Sequence, residues 1–205
     1  MGLPAVRKQR RLRSWRHPDL DDRLGRRRMI AEARLMVRLY RNGLNIPVLY
    51  DCDIKEQQLV MSNIPGSPLI ELLNDESIND QRIREHLLAA GRSIRLLHRQ
   101  AIVHGDLSTN NIMITPEGEA VLIDFGLAKI EFETELYGID LHVLFEILGA
   151  SHPHREGAME AILEGYAECE KELGVAATTP GGDPVSMEDV LERFDLIRTR
   201  VRYHG

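Results

Sequence analysis

Two motifs close together in the second half of the chain constrain its fold more than any other feature. Residues 104–114 read HGDLSTNNIMI, and residues 122–129 read LIDFGLAK. They carry Asp106, Asn111 five positions later, and Asp124 at the start of an Asp-Phe-Gly triplet. Short apolar runs adjoin both motifs, so the sequence predicts a loop, a strand, a turn and a second strand. This arrangement would bring the three polar side chains into one cleft.

These three groups suit phosphoryl transfer from a nucleotide. A carboxylate in the position of Asp106 orients or deprotonates the acceptor. An amide oxygen from Asn111 and a second carboxylate from Asp124 hold the magnesium ions that neutralise charge on the transferred group. Asp-Phe-Gly alone is a common turn, so the prediction depends on all three groups at this spacing rather than on any one of them.

Length and composition set broad limits. A chain of 205 residues is long enough for one domain, including one of two lobes, and its net charge of −6 gives no reason to expect a basic surface overall. Cys52 and Cys169 lack metal-ligand spacing and are expected to be reduced thiols. The sequence has neither an apolar run that could cross a bilayer nor a signal peptide. We therefore predict a cytoplasmic protein without membrane association, with the nucleus as an additional location.

Basic residues are nevertheless concentrated near the N-terminus. Ten of them lie between Arg7 and Arg28, and a smaller cluster closes the chain at Arg198, Arg200 and Arg202. The first group includes Arg10, Arg11, Arg13 and the run Arg26-Arg27-Arg28. Two interpretations stay open: a patch for a polyanion such as RNA or a nuclear localisation signal, or a solvated loop and helix face.

The first part of the chain predicts a small mixed layer. Residues 4–8 suit a short strand, residues 19–41 an amphipathic helix ending before Gly43, and residues 46–61 two antiparallel strands. The inward face of the helix is predicted from apolar residues three and four positions apart: Met29, Ala33, Met36, Val37 and Tyr40. Glu32 flanks this face, and a carboxylate there needs a partner because an unpaired buried charge is costly.

A break follows at residues 64–68, where Pro65 and Pro68 are expected to exclude regular structure and to mark a hinge. The rest of the chain predicts helices: residues 69–73, 80–98, 139–148, 157–173 and 186–203. In residues 80–98 the buried stripe is Ile83, Leu87, Ala90, Ile94 and Leu97. The helix at 139–148 is apolar on nearly all sides and is expected to be buried. Residues 174–185 are expected to form an exposed loop.

A mixed lobe with one helix, a Pro/Gly hinge and a helical lobe that opens with a catalytic loop resemble a protein kinase. The resemblance is closer to one branch, the PRPK-type atypical Ser/Thr kinases of the KEOPS (EKC) complex, which makes threonylcarbamoyladenosine in tRNA. It covers the chain from about Pro4 onward. Its motifs are WRHPDLDDRLGRRRMIAEA (15–33), HGDLSTNN, LIDFGLA, GIDLHVL (138–144) and SHP (151–153). It implies an α+β, bilobal kinase-like fold in one domain spanning 1–205, with a reduced N-lobe sheet plus one helix in 1–64 and a mainly helical C-lobe in 65–205.

The resemblance also assigns roles to individual residues, with ATP and Mg²⁺ as cofactors. Lys8 matches the third-strand lysine that contacts the α- and β-phosphates, and Glu32 matches the helix glutamate that pairs with it. The remaining positions match the gatekeeper (Met61), the hinge that bonds the adenine edge (Ser62 to Ile64), the catalytic base (Asp106), the magnesium ligands (Asn111 and Asp124) and the aspartate that braces the catalytic loop (Asp140).

Two departures from the kinase pattern affect the expected function. There is no room before Lys8 for two further strands and a glycine-rich loop, so we expect either a truncated sequence, which the intact catalytic motifs favour, or nucleotide binding that is weak or absent. Only about a dozen residues separate Asp-Phe-Gly from Gly138, too few for a long peptide-docking activation segment. This shortness matches the KEOPS kinase and favours an ATPase-like role or few protein targets.

Three functions remain from the sequence. The leading hypothesis is a kinase or ATPase subunit that works with the threonylcarbamoyl-transferring catalytic subunit and other KEOPS subunits, with tRNA contacted through the basic patches. The second is a scaffold of the same complex with little or no catalysis. The third is a small-molecule phosphotransferase of the aminoglycoside or choline kinase type, which also carries His-Gly-Asp but lacks the Arg-His-Pro segment.

Overall fold

The computed structural model describes residues 2–10, 15 and 17–202, which form an α+β fold. Its elements in chain order are β1 (Ala5–Gln9), α1 (Pro18–Arg41), β2 (Leu49–Asp53), β3 (Gln58–Ser62), β4 (Ser67–Pro68), α2 (Leu69–Asn74), α3 (Asp80–His98), β5 (Ile102–Val103), β6 (Ile112–Ile114), β7 (Ala120–Leu122), β8 (Lys129–Ile130), α4 (Thr134–Ser151), α5 (Ala158–Leu173) and α6 (Met187–Arg202). The α+β, kinase-like bilobal fold predicted from the sequence is confirmed. No helix in the described ranges has the length and apolar character needed to cross a bilayer.

The first sheet is small and antiparallel. Its strands lie in the order β1-β3-β2, so β3 is central and β1 forms one edge. Val6 lies opposite Met61, and Lys8 lies opposite Leu59. The predicted strands are therefore present, each displaced by one or more residues. The sheet places Lys8 and the end of β3 along one side of the same cleft.

α1 packs beside this sheet and ends in a Schellman motif. Gly43 adopts a φ of 81°, a conformation that glycine reaches without strain. The amide of Leu44 donates to the carbonyl oxygen of Leu39 at 3.1 Å, and the amide of Gly43 donates to that of Tyr40 at 3.0 Å. These two bonds satisfy carbonyls that the helix end would leave unpaired, as the position of Gly43 in the sequence predicts.

The predicted inward face of α1 is only partly right. Met29, Ala33 and Met36 are buried, but Val37 is 38% exposed and Tyr40 is 55% exposed. The buried face turns instead toward Glu32, Leu35 and Leu39. At 100° per residue these positions lie on the other flank of Met36, so the true face is rotated relative to the prediction.

The break after the first sheet contains a short strand that the sequence does not predict. Ser67–Pro68 pairs antiparallel with β6, at the edge of a second sheet ordered β4-β6-β7. Proline is tolerated there because an edge strand leaves one side of its backbone unpaired. The expectation that Pro68 excludes regular structure is therefore wrong. The division into lobes at residues 64 and 65, within one domain, stays a prediction.

The remaining helices form the larger part of the molecule. α3 has the predicted bounds, and its whole predicted stripe is buried. α4 is longer than predicted and less enclosed, because Ile139 and Val143 are each 38% exposed. At the start of α6, Ser186 Oγ accepts a hydrogen bond from the Asp189 amide at 3.1 Å, which confirms the predicted N-cap.

α3 and α5 approach each other through two glycines. A Cβ atom added at Gly91 would lie 1.9 Å from the carbonyl oxygen of Ile162, and one added at Gly165 would lie 2.0 Å from that of Leu88. Neither carbonyl can move without breaking its helix. The close contact between these helices therefore requires the absence of a side chain at both positions.

We expect Gly91→Ala to lower the free energy of unfolding by about 1–3 kcal/mol, because the new methyl group forces the two helices apart. Gly149→Ala is the matched control, since a Cβ atom there meets no atom within 4 Å. It should stabilise α4 by up to about 1 kcal/mol. Urea unfolding of both variants measures the difference, and equal stabilities would contradict the role of Gly91.

Candidate active site

Lys8 joins three parts of the chain that are far apart in sequence. Its Nζ atom lies 2.6 Å from Glu32 Oε1 and 2.6 Å from Asp124 Oδ1. Lys8 comes from β1, Glu32 from α1, and Asp124 from the turn after β7. The Glu32 side chain is only 2% exposed, so the ammonium group supplies the partner that a buried carboxylate needs.

Asp124 has an unusual backbone conformation that sets the direction of its carboxylate. Its φ is 62°, in the left-handed region that few non-glycine residues adopt. Its Oδ1 atom also accepts a hydrogen bond from the Gly126 amide at 3.2 Å. Burial opposes ionisation of this carboxyl, but the hydrogen bond and charge of Lys8 outweigh burial and hold the Asp124 pKa below its usual value. The group is therefore an anion at neutral pH.

Asp106 and Asn111 form a second pair close to this turn. Asn111 Nδ2 donates to the Asp106 carbonyl oxygen at 2.8 Å and to Asp106 Oδ2 at 3.2 Å. The amide of Ile123 donates to the carbonyl oxygen of Asn111 at 3.0 Å. This bond places Asn111 beside the residue that precedes Asp124. The three residues predicted from the motifs thus lie on adjacent loops at one end of β6 and β7.

The donor atoms here fit a magnesium ion. The amide nitrogen of Asn111 faces Asp106, which leaves its Oδ1 atom without a hydrogen-bond partner among the residues described. Together with the Asp124 carboxylate, which is 46% exposed, it offers the oxygen ligands that hard divalent cations prefer. Asp124 Oδ1 already contacts Lys8 and the Gly126 amide, so Oδ2 is the oxygen of this carboxylate that, among the residues described, is open to such an ion.

A cleft of about 240 Å³ lies next to Lys8 and Asp124. It is mostly apolar, and its lining consists of Val6, Lys8, Glu32, Met36, Pro47, Met61, Ser62, Asn63, Ile64, Met113, Ile123 and Asp124. All of the predicted gatekeeper and hinge residues are included. A flat apolar ring can enter between such walls while charged groups remain near the lysine.

Within the predicted hinge, the backbone groups differ in availability. The amide of Ser62 donates to the Val48 carbonyl oxygen at 2.8 Å, and the amide of Asn63 donates to that of Pro4 at 3.1 Å. Ser62 Oγ accepts from the Val48 amide at 2.9 Å. In the part of the chain that the structure describes, Ile64 has no such partner at its amide or carbonyl. Ile64 is therefore the hinge residue best able to bond a ligand through its backbone.

Asp140 holds the loop that contains Asp106 from below. Its Oδ2 atom accepts from the His104 amide at 2.5 Å, and its Oδ1 atom accepts from the Gly105 amide at 2.9 Å. Burial opposes its ionisation, but His98 and these two amides outweigh burial and lower the Asp140 pKa. The predicted brace from α4 to the loop is therefore present as a hydrogen-bonded carboxylate.

His98 and Tyr166 extend this brace, and sequence reasoning missed both. His98 is fully buried, its Nε2 atom lies 3.5 Å from Asp140 Oδ2, and its Nδ1 atom lies 2.9 Å from Tyr166 Oη. Arg95, also fully buried, donates to Tyr166 Oη at 3.2 Å. No motif marked these residues, because α3 and α5 supply them from some 70 positions apart.

Arg10 is a further missed residue at the lysine site. Its Nη2 atom lies 3.5 Å from Glu32 Oε2, so Glu32 contacts two cations. The signal was available in the sequence, because Arg10 follows Lys8 by two positions and alternate residues of a strand share one face. Sequence reasoning had grouped Arg10 with the surface basic run instead.

These features together define a protein-kinase-like phosphotransfer fold, with a lysine–glutamate pair, a braced catalytic loop and an Asp-Phe-Gly turn around an apolar cleft. Comparison with known proteins narrows this class. A model of the RIO domain matches residues 6–132. The chain belongs to the RIO-domain family, in the group of KEOPS (EKC) Bud32-type proteins, which confirms the relationship predicted from the sequence.

Three relatives support this assignment. The mouse EKC/KEOPS complex subunit Tp53rkb is 34% identical over 98% of this chain and 80% of its own length. The KEOPS complex subunit Bud32 of Pyrococcus abyssi is 37% identical over 81% of this chain and 74% of its own. A probable bifunctional tRNA threonylcarbamoyladenosine biosynthesis protein of Methanosarcina mazei is 34% identical over 98% of this chain. The match covers only 32% of that longer protein.

The buried His98 makes the stability of the site sensitive to acid. Burial lowers its pKa in the folded state, so below about pH 6.5 the unfolded chain binds a proton that the folded chain resists. The contribution of a neutral His98 to stability is thus present above this pH and lost as the pH falls below it.

We therefore expect His98→Gln to reduce the slope of unfolding free energy against pH between about pH 5 and 6.5, by up to about 1.4 kcal/mol per pH unit. Urea unfolding across this range, for both proteins, measures the slope. The variant is also expected to be less stable at neutral pH because it loses the Tyr166 contact. Identical slopes would show that His98 does not resist protonation in the folded state.

Proposed function

We propose that this protein is an ATP-dependent phosphotransferase, an atypical serine/threonine kinase or ATPase that uses Mg²⁺. The observation that carries the proposal is the contact of Lys8 with both Glu32 and Asp124 at the mouth of an apolar cleft. A cation held by a buried carboxylate beside a magnesium-ligand carboxylate is the arrangement that nucleotide phosphates require. Membership of the RIO-domain family supports the same class of activity.

Each residue then has a defined part. The walls from Val6, Met113 and Ile123 would hold the adenine ring, and the free amide and carbonyl of Ile64 would bond its edge. Lys8, kept in place by Glu32, would contact the phosphates. Magnesium, when bound through the oxygens of Asn111 and Asp124, supplies charge neutralisation at the transferred phosphoryl group.

Asp106 would act on the attacking hydroxyl or water. Its carboxylate is exposed, and its position is fixed by Asn111 on one side and by the Asp140 brace beneath the loop. A carboxylate held in this way can accept a proton from the nucleophile as the phosphoryl group transfers. Because both Asp106 and Asp140 lie on the same braced loop–helix unit, the base needs little reorganisation before reaction.

The physiological setting that we propose is the KEOPS complex and its threonylcarbamoyladenosine modification of tRNA. The relatives named as subunits of that complex, and the relative named as a tRNA threonylcarbamoyladenosine biosynthesis protein, support this assignment. The partners would be the threonylcarbamoyl-transferring catalytic subunit, the other KEOPS subunits and tRNA. The cytoplasm, together with the nucleus, would be its location.

The short segment after the Asp-Phe-Gly turn is an argument that the protein has few or no peptide substrates. Only residues 127–133 separate Gly126 from the start of α4, and two of them form β8, which pairs with β5. Little of this segment is free to present a groove for an extended peptide. The segment therefore favours ATP hydrolysis, or phosphorylation of a partner that docks elsewhere.

A scaffold of the same complex with little catalysis is the second candidate. The observation that favours it is the direct contact of Lys8 with Asp124, because the carboxylate already has a cation there without magnesium. The two candidates differ in one measurable property. The enzyme binds Mg-ATP in solution, whereas the scaffold keeps its partners but shows no magnesium-dependent nucleotide binding.

We expect Asp124→Asn to abolish the magnesium-dependent part of ATP affinity, since the amide removes the one anionic oxygen ligand of the proposed pair. Isothermal titration calorimetry with ATP, with and without Mg²⁺, measures this part. Asp51→Asn on β2 is the matched control, because Asp51 is exposed and has no ion pair in the described chain. If the unaltered protein shows no magnesium-dependent binding, the scaffold is the correct function.

We expect Asp106→Asn to keep ATP affinity but to lower the turnover of ATP by about 10²–10⁴-fold, because the amide cannot accept a proton from the nucleophile. Phosphate release under saturating Mg-ATP measures turnover, and calorimetry checks binding. Equal losses of binding and turnover would mean that Asp106 acts on nucleotide binding rather than on the attacking group.

A further inference from the structure

The outward face of α1 carries a straight row of arginines. Arg23, Arg27, Arg34 and Arg41 fall within about 40° of one another around the helix axis at 100° per residue. At 1.5 Å per residue the row is about 27 Å long. It lies on the side of the helix opposite the buried face of Met29, Glu32 and Met36. We call these four residues the arginine stripe.

All four side chains of the stripe are exposed. Among the described residues, none of the four has a hydrogen bond, ion pair or ring contact. Of the carboxylates on α1, Asp22 pairs with Arg26 and Glu32 turns inward to Lys8, while the exposed Asp19, one turn before Arg23, lies 3.9 Å from His17 Nδ1. The stripe therefore forms a positive surface, with Asp19 at its N-terminal end, on a protein with a net charge of −6.

The arginine stripe differs from the basic run that the sequence analysis singled out. Of Arg26, Arg27 and Arg28, only Arg27 belongs to the stripe, because Arg26 is paired with Asp22 and Arg28 points to another side of the helix. Arg11, Arg13 and Arg16 lie outside the described residues. Consecutive arginines in the sequence therefore do not make one surface, whereas arginines spread over nineteen positions do.

We propose that the arginine stripe binds the phosphodiester backbone of an RNA strand or duplex, without reading its sequence. Arg23 and Arg27 are about 6 Å apart along the helix, and the intervals to Arg34 and then to Arg41 are about 10.5 Å each, close to two and three nucleotide rises. A nucleic acid offers charges at short regular intervals over the whole 27 Å, so each arginine of the row can find a phosphate. Arginine also presents a planar pair of donors to a phosphate.

This inference deepens the tRNA contact of the proposed function and depends on it for the choice of RNA. An acidic polypeptide is the competing occupant, but among the described residues the large apolar side chains exposed beside the stripe are Leu20 and Val37, which stand singly next to arginines and form no pocket that would anchor one. Protein interfaces depend on such anchors, whereas binding to a nucleic acid backbone depends on charge. The observations therefore favour RNA.

The test compares two double variants that remove the same charge. Arg27→Gln/Arg34→Gln alters the stripe, and Lys55→Gln/Lys171→Gln removes two exposed charges elsewhere. Fluorescence anisotropy with a labelled tRNA transcript gives the affinity at several KCl concentrations. We expect the stripe variant to bind more weakly, and its slope of log K against log salt to fall by about 2. The control variant should retain the slope, and Arg27→Lys/Arg34→Lys should restore it.

Three results would overturn the proposal: unchanged tRNA binding in the stripe variant, equal losses in both double variants, or loss of binding to poly-glutamate while tRNA binding persists. The last would identify an acidic polypeptide as the partner. Thermal melting confirms that each variant is folded. ATP affinity is measured in parallel, because the stripe does not touch Lys8 or Asp124. Unchanged RNA binding with normal ATP affinity would therefore count against the stripe alone, whereas absence of ATP binding in every variant would count against the proposed enzyme.

Discussion

The ammonium group of Lys8, held between Glu32 and Asp124, is the interaction on which the arrangement of the site depends. Glu32 is almost completely buried, and its charge would be costly without a nearby cation. Lys8 is 24 residues from Glu32 and 116 residues from Asp124 in the chain. One charge cluster therefore fixes the relative positions of the first strand, the first helix and the Asp-Phe-Gly turn.

Asp140 solves a similar problem in the helical part of the molecule. A loop has no secondary structure to satisfy its backbone, and the amides of His104 and Gly105 donate to this one carboxylate instead. His98 and Tyr166 then hold the carboxylate against two further helices. The loop that carries Asp106 is thus attached to the buried core of the helical part, while Asp106 itself stays exposed to a ligand.

The sequence predicted the elements well where a single pattern dominates. α3 was predicted to the residue because its apolar positions keep a strict helical period. The buried face of α1 was predicted incorrectly because Val37 and Tyr40 are apolar and were assigned to it. The structure buries Glu32 and Leu39 instead. The contacts of Arg10 and His98 were missed for a different reason: they join residues whose proximity depends on how the helices and strands pack, which no local pattern records.

The two faces of α1 explain why its composition was hard to interpret. The inward face uses a carboxylate, Glu32, to hold the lysine of the site, and the outward face keeps arginines that no described carboxylate neutralises. A count of charges along the chain does not distinguish residues on the two faces, and it also includes Arg26, whose charge is already paired with Asp22. Only the helical phase separates Glu32, which supports the active site, from Arg34, which faces solvent two positions away. The same helix can therefore hold Glu32 against Lys8 and present an anion-binding surface, because its two faces have independent partners.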